Sequence, residues 1–268
     1  MSENRSLYCR TSLNYGTSHG VQPTTVEIRN GRQQTLSWQT NGFELLNHRS
    51  KVSDWDDEVD VASHYYSEMA GLAKALTGCS AAIVAGHISR NPQQAEQHQD
   101  YAPIQFAHSD FTDNYGALTK QRYALGQAFE AQALAQAGIT ATELANAQDI
   151  LILQFWRNVG PAEPDLPLAF CDAQSVPRKD LVPFHVQSYA NGDFAFDTFA
   201  LSGNATNHRW STFPALGNHE VVAFRTFDSR RVGSDKPYWT PHCAFLDPMV
   251  AAPAPARRSI EVRATCLF

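Results

Sequence analysis

The sequence predicts an α+β protein with a mainly β core, a jelly roll or related barrel with α-helices on its flanks. Two observations support this fold class. Many short apolar runs separated by turn residues fill the second half of the chain, a pattern typical of antiparallel β folds. The first half instead carries segments with helical spacing of apolar residues. No repeat, long linker or composition break divides the 268 residues, so residues 1–268 are predicted to form a single domain.

The N-terminal part is predicted to contain a β-hairpin. The β-forming runs 24–28 and 35–38 flank Asn30 and Gly31. Asn-Gly between such runs is a strong signal for a tight turn, because both residues accept a positive φ. The hairpin is expected to pack on the core together with the helical segments.

Three helices are predicted after the hairpin. Apolar residues at helical spacing indicate the first, from Val61 to about residue 76, and Gly78 should end it. A second is predicted over 117–137, and a third follows the capping box of Thr140 and Glu143. The polar residues 91–100 are expected to form a surface loop. The residues expected to face the core from the second helix are Leu118, Leu125, Phe129 and Ala133.

Strands are predicted to follow these helices and, in two places, to lie between them. The run 81–84 and the alternating segment 103–110 are the two early strands. The later strands are expected at 150–159, 182–189, 194–199, 221–227 and 259–268.

Charge and cysteine content limit which binding partners and which cellular location are expected. A net charge of −6 without a basic stripe gives nucleic acid or an anionic membrane no electrostatic basis for binding, so a small-molecule substrate is expected. The five scattered cysteines lack Cys-x-x-Cys spacing, which predicts reduced thiols rather than disulfides or a zinc knuckle. Neither a signal-peptide pattern nor an apolar run of about 18 residues occurs, which predicts a cytoplasmic protein.

Two histidines and one aspartate are the candidate metal ligands. His108 and Asp110 are two residues apart in the segment predicted to be extended, so both side chains should leave the same face. His242 would supply a third ligand from a distant strand. Two imidazoles and one carboxylate on one side of an ion leave the other side open, which suits non-haem Fe(II) and O2. The alternatives are a surface turn pair and a buried structural histidine.

Arg257 and Ser259 form an Arg-x-Ser pattern on the last predicted strand. A guanidinium with a hydroxyl two residues on can hold a carboxylate through several hydrogen bonds. A 2-oxoglutarate-dependent oxygenase needs such a clamp for the far carboxylate of its co-substrate. Arg257 with Ser259 is the predicted clamp, Arg263 is the second candidate, and Arg258 is expected to face solvent. A solvated face of charged residues is the alternative.

An ordered series of short motifs spans residues 41–268. They are Asn-Gly-Phe-Glu-Leu at 41–45, Tyr-Tyr-Ser-Glu at 65–68, Thr-Gly at 77–78, His-Ser-Asp-Phe-Thr at 108–112, Phe-Trp-Arg at 155–157, Pro-Leu-Ala at 167–169, Cys-Asp at 171–172, His-Arg-Trp at 208–210, Phe-Asp-Ser at 227–229, Thr-Pro-His-Cys-Ala-Phe-Leu-Asp-Pro at 240–248 and Arg-Ser-Ile-Glu-Val-Arg-Ala at 258–264. This series resembles the family of Fe(II)/2-oxoglutarate-dependent oxygenases that contains the cephamycin-pathway hydroxylase component CmcJ, the fungal protein AsaB, fungal gibberellin desaturases and the endoperoxide-forming NvfI.

The resemblance implies a double-stranded β-helix, Fe(II), 2-oxoglutarate and O2, with His108, Asp110 and His242 at the metal positions. The chain departs from the family pattern at residues 86–90, at 211–212 and at Arg258. These departures leave the ligand positions intact and bear on the substrate instead. Four residues match motif positions and are candidate substrate contacts, with structural ion pairs as the alternative: Arg90, Arg157, His208 and Arg209.

Together these patterns predict an Fe(II)/2-oxoglutarate-dependent dioxygenase. It is expected to hydroxylate, desaturate or oxidatively cyclise a small or medium-sized secondary metabolite or amino-acid-derived molecule. Two other classes stay open: a cupin-like metalloenzyme that needs no 2-oxoglutarate, and a non-catalytic partner of a biosynthetic complex. A homo-oligomer or a biosynthetic partner protein is also left open.

Overall fold

Two β-sheets with helices on their flanks make up the part of the chain that the computed structural model describes, residues 6–17, 20–187 and 196–268. The strands are β1 (Leu7–Thr17), β2 (Gly20–Asn30), β3 (Phe43–Asn47), β4 (Ala81–Arg90), β5 (His108–Ser109), β6 (Ile150–Asn158), β7 (Leu168–Cys171), β8 (Leu181–Val186), β9 (Phe196–Leu201), β10 (Trp210–Thr212), β11 (Glu220–Asp228), β12 (His242–Ala244) and β13 (Ser259–Leu267). The helices are α1 (Glu58–Thr77), α2 (Pro92–Gln97), α3 (Tyr115–Ala124), α4 (Ala128–Ala137) and α5 (Ala141–Asn146).

The larger sheet has the order β1-β2-β10-β7-β12-β5-β9-β8, and the smaller has the order β3-β11-β6-β13-β4. Apart from the parallel pair β2 and β10, the paired strands are antiparallel. From β5 to β7 the chain passes from the larger sheet to the smaller and back. Two antiparallel sheets joined in this way are the jelly-roll arrangement that the sequence predicts.

The smaller sheet separates two environments. On its outer face, Val61, Tyr65 and Met69 of α1 pack in one apolar cluster with Val262 and Ala264 of β13. Because side chains alternate along a strand, Glu261, Arg263 and Thr265 of β13 face the other way, into a cavity. Helix α1 therefore covers the apolar face of β13, and the polar residues of this strand face the interior cavity.

Helix α1 confirms the first predicted helix. The carboxylate of Asp57 accepts the backbone N–H groups of Val59 and Asp60 at its start, and Gly78 ends it in the left-handed conformation with φ 69°. The capping box of Thr140 and Glu143 is also present, and it begins α5.

Other local predictions are wrong. Asn30 and Gly31 do not form a hairpin turn; the hairpin is β1 with β2, and Gly31 begins a 3-10 turn. A Cβ on Gly31 would lie 2.6 Å from the ring of Phe213, so close packing explains this glycine. The predicted loop 91–100 contains the short helix α2. The long second helix is two helices, α3 and α4, separated near Gly126, whose φ is 64°.

The prediction of core-facing residues in the second helix is also partly wrong. Ala133 is buried, whereas Leu118, Leu125 and Phe129 are exposed. The later predicted strands correspond to β6, β8, β9, β11 and β13. The portions of two of them at residues 188–195 lie outside the described residues. Among the helices in the described ranges, none combines the length and apolar character that crossing a membrane requires.

Candidate metal centre and cavity

Three side chains predicted to bind metal lie together between the sheets. His108 and His242 are directly paired across the antiparallel strands β5 and β12, with ring centroids 4.4 Å apart. Asp110 follows β5, with one carboxylate oxygen 3.7 Å from His108 Nε2 and the other 3.9 Å from His242 Nε2. All three residues are buried, and one ligand atom from each lies within 4.8 Å of the others. This donor set could hold a divalent metal ion.

Backbone carbonyls orient both imidazoles. Nδ1 of His108 lies 2.7 Å from the carbonyl oxygen of Phe106, and Nδ1 of His242 lies 3.0 Å from that of Thr240. A carbonyl only accepts hydrogen bonds, so each Nδ1 carries the proton and each Nε2 presents its lone pair to the centre. Burial lowers the pKa of His108 to about 4 and also lowers the pKa of His242. Both rings are therefore neutral at pH 7, as metal ligation requires.

Asp110 is charged and fixed in place. Burial works to raise the pKa of its carboxyl group, but His242, Arg263 and the hydrogen bond from Gln154 outweigh burial and lower that pKa. The amide of Gln154 donates to the Asp110 carboxylate and, at 3.2 Å, to the hydroxyl of Thr226.

Gln154 was not predicted from the sequence. This residue is fully buried near the middle of β6. A single uncharged polar residue inside the run Ile-Leu-Ile-Leu-Gln-Phe-Trp was the available signal, because a buried amide needs hydrogen-bond partners.

A cavity of about 720 Å³ adjoins the three ligand candidates. Its wall includes Phe106, Phe111, Trp156 and Phe184, which make much of it apolar and aromatic. Three arginines of the smaller sheet and its border also reach it: Arg90 of β4, Arg263 of β13, and Arg257, two residues before β13. An aromatic cavity with a few charged groups suits an organic molecule bound beside a metal.

Arg257, the predicted clamp, lies in the cavity wall with 4% of its surface exposed. Its guanidinium donates to the carbonyl oxygen of Leu166 at 3.0 Å and lies 5.6 Å from the ring centroid of Trp156. Within the described part of the chain, its Nε has no hydrogen-bond partner. Burial, and then the charge of Arg90, lower the pKa of Arg257 to about 9. A second positive charge beside a desolvated guanidinium favours a bound anion here.

Ser259 is the predicted partner of Arg257. It is buried, but it is not among the residues that line the cavity. Arg90 lies opposite Ser259 in the register of β4 and β13 and does line the cavity. Arg258 is partly exposed and pairs with Asp56 at the surface, as predicted for a solvent-facing residue.

Three predicted substrate contacts lie away from the cavity. Arg157 is fully buried on the opposite face of β6, where it donates to the carbonyl oxygens of His48 and Asn218. His208 is buried between the hydroxyl of Tyr15 and the carboxylate of Asp180.

Arg209 pairs with Asp172 at 2.9 Å. For Arg157, His208 and Arg209 these partners favour the structural alternative. Of the four candidates, Arg90 alone reaches the cavity, within the part of the chain that the structure describes.

Replacing Arg157 with methionine should lower stability and leave the cavity intact. The change leaves the carbonyls of His48 and Asn218 without their donor and should cost about 2–4 kcal/mol in the free energy of unfolding. Denaturant titration measures this loss, and Arg209→Met, which breaks a pair at a half-exposed arginine, should cost less than about 1 kcal/mol. A marked loss of 2-oxoglutarate binding in Arg157→Met would contradict the structural role.

Comparison with known proteins places this geometry in a family. The family model described as YDMC, oxidoreductase/YMDC permease-like domain, matches residues 6–267. The chain belongs to this family. It is 26% identical to the alpha-ketoglutarate-dependent dioxygenase phiK of a fungal species over 255 residues, 91% of this chain and 84% of that protein. It is also 26% identical to the hydroxylase/desaturase efuI of Hormonema carpetanum, over 94% of this chain and 84% of that protein.

A solved structure shares the fold. The iron and alpha-ketoglutarate-dependent endoperoxidase NvfI superposes with a TM-score of 0.76 and 20% sequence identity, covering 97% of this chain and 98% of that chain. The predicted fold class, a mainly β jelly roll with flanking helices, is confirmed. The resemblance of the motif series to these oxygenases is confirmed as well.

Proposed function

We propose that this protein is a non-haem Fe(II)- and 2-oxoglutarate-dependent dioxygenase that hydroxylates, desaturates or oxidatively cyclises a small or medium-sized secondary metabolite. One observation carries the proposal: a buried cluster of two neutral imidazoles and one carboxylate opens on a cavity that also holds a buried arginine. The names of the relatives phiK and efuI support the same chemistry.

The donor set fits Fe(II). His108, Asp110 and His242 would hold the ion, which supplies the redox chemistry that couples O2 reduction to oxidation of the substrate. The carbonyls of Phe106 and Thr240 keep both imidazoles in the tautomer that presents Nε2. The residues around the site thus contribute orientation and exclusion of water.

Gln154 acts as a positioning residue for Asp110. Its amide holds the carboxylate through a buried hydrogen bond and is itself held by Thr226. We expect Gln154→Leu to weaken Fe(II) binding by roughly 10- to 100-fold, because a residue behind the ligand orients it. Anaerobic Fe(II) titration measures the change. Thr226→Val is the control, since it removes the other partner and leaves the carboxylate contact; equal affinities in wild type and Gln154→Leu would contradict this role.

Arg257 would bind the far carboxylate of 2-oxoglutarate. Its guanidinium is desolvated, lies against Trp156 and has a donor left at Nε within the described structure. Arg90 adds a second positive charge at the same place. A dianionic keto acid would relieve the repulsion between these two arginines while its other end reaches the metal.

Two further features of the protein belong to the proposal. We propose that residues 1–268 form one oxygenase domain, because the family model spans residues 6–267 and the two sheets share the cavity. We also propose a cytoplasmic location, supported by five buried cysteines that are all free thiols. A homo-oligomer or a biosynthetic partner protein stays a prediction.

The function is tested by following 2-oxoglutarate. Purified protein with Fe(II), ascorbate, O2 and 2-oxoglutarate should form succinate and CO2 slowly even without its substrate, and omitting Fe(II) or O2 should stop this. Succinate is measured by mass spectrometry, with Asp110→Ala as the inactive control. Metal binding without any succinate would instead favour a cupin-like metalloenzyme that needs no keto acid.

A further inference from the structure

The cavity carries positive charge at two separate places. Arg257 and Arg90 lie at one, because Arg90 is paired in the sheet with Ser259, two residues from Arg257, and both arginines line the cavity. Arg263 lies six residues further along the last strand, about 20 Å of extended chain. Its charge and that of Arg122 act together on Tyr115 of α3. One small keto acid held by Arg257 therefore does not account for the arginines near α3.

One face of α3 forms this second place. Tyr115, Thr119, Arg122 and Tyr123 follow the i, i+4, i+7, i+8 spacing of a single helical face and all line the cavity. Thr119 donates its hydroxyl to the backbone of its own helix, at Tyr115 O. We call Tyr115, Arg122, Tyr123 and Arg263 the tyrosine–arginine end of the cavity.

The tyrosine–arginine end is rich in hydrogen-bond donors. Burial raises the pKa of both Tyr115 and Tyr123, so each phenol stays a neutral O–H group that can donate. Arg122 donates to Glu130 at 2.7 Å, and Arg263 pairs with Glu261 at 3.1 Å.

The shape of this end is fixed by aromatic packing. The ring of Tyr115 stacks on Phe111 at 3.6 Å, and the guanidinium of Arg263 lies 5.6 Å from the centroid of the same Phe111 ring. The Arg263 side chain keeps 37% of its surface exposed, on the cavity side of β13. Phenol and guanidinium are thus held side by side, facing the space that a substrate would occupy.

We propose that the tyrosine–arginine end binds a carboxylate of the substrate, so the substrate is an organic acid whose apolar body lies along the aromatic wall. Two guanidiniums and two phenols that line this end of the cavity match a group with several acceptor lone pairs. Phe106 and Phe184, which contact each other edge to face at 5.5 Å, provide the apolar surface. This inference rests on the proposed function, because it assigns Arg257 to the keto acid.

A matched pair of probes tests this substrate class. The acid 4-phenylbutyrate and its neutral amide, 4-phenylbutanamide, are titrated anaerobically into the enzyme loaded with Fe(II) and saturating 2-oxoglutarate, with tryptophan fluorescence as the readout. The acid should bind at least about tenfold more tightly than the amide. In Arg263→Met this preference should fall below about threefold, and Tyr115→Phe should reduce it in part. Arg258→Met, which removes a surface arginine directly before the same strand, should retain it.

Several results would overturn the proposal. These are failure of the acid to bind, equal binding of acid and amide, an unchanged preference in Arg263→Met, or displacement of 2-oxoglutarate by the acid. If Arg263→Met weakens 2-oxoglutarate binding as much as Arg257→Met does, Arg263 serves the co-substrate and the proposal fails. If Arg263→Met does not fold, Arg122→Gln with Tyr115→Phe tests the same end.

Failure of the proposed function gives a different result. In that case the wild-type protein does not bind Fe(II) with 2-oxoglutarate at all. The acid and amide are then compared on the metal-free protein, where a preference that depends on Arg263 would still support carboxylate binding and equal binding would refute it.

Discussion

Asp110→Ala should abolish Fe(II)-dependent turnover and weaken Fe(II) binding by at least about a hundredfold. The change removes the one anionic ligand between two neutral imidazoles, whose Nε2 atoms lie 3.7 and 3.9 Å from its oxygens. It also deprives the buried amide of Gln154 of an acceptor. Anaerobic Fe(II) titration and succinate formation measure the two effects separately.

The matched control for this change is Asp113→Ala. Asp113 lies three residues further along, and its carboxylate contacts Arg178 and Tyr238 rather than the two histidines. The control should keep wild-type iron affinity. Retention of stoichiometric iron and of activity by Asp110→Ala would show that the ion is held elsewhere.

Arg257→Met should raise the 2-oxoglutarate concentration needed for half-maximal activity by roughly 10- to 100-fold, the range expected for losing a charged hydrogen bond. Iron binding should be unchanged, because Arg257 contacts none of the three ligand candidates within the described structure. The measurement is a 2-oxoglutarate titration of succinate formation at fixed Fe(II).

Two other arginines of the same segment make this test specific. Arg258 pairs with Asp56 at the surface, so Arg258→Met should leave the 2-oxoglutarate requirement unchanged. Arg263→Met should also leave it unchanged if Arg263 faces the substrate. A large increase in Arg263→Met with none in Arg257→Met would reverse the two assignments.

The fold class and the metal-ligand candidates could be predicted from the sequence. The fold follows from the periodic spacing of apolar residues, and the ligands follow from their residue types. Helix α1 has an apolar face, an acidic start and a terminal glycine, and each feature is local. His108 and Asp110 are two apart in a segment that was predicted to be extended, and this spacing predicts that both side chains leave one side; the strand itself covers only His108–Ser109. The pairing of His242 with His108, by contrast, is long-range, and only the motif series connected them.

The errors arose where the signal was ambiguous. Every residue of β6 is buried, so alternation of polar and apolar residues could not separate Arg157 on its outer face from Gln154 on its inner face. Gly31 is needed for its contact with Phe213 and not for a turn, a distinction that only tertiary structure makes. Phe129 of α4 faces the cavity, so this apolar residue resembled part of a core-facing stripe.

The most direct test of the whole account is spectroscopic. Fe(II) is added to the protein without oxygen, then 2-oxoglutarate, and the weak visible charge-transfer band of the iron–keto acid chelate is recorded. The account predicts a band that appears only with both additions, is absent in Asp110→Ala and needs more 2-oxoglutarate in Arg257→Met. An unchanged spectrum in wild-type protein that has bound Fe(II) would contradict the assignment of this cavity to 2-oxoglutarate.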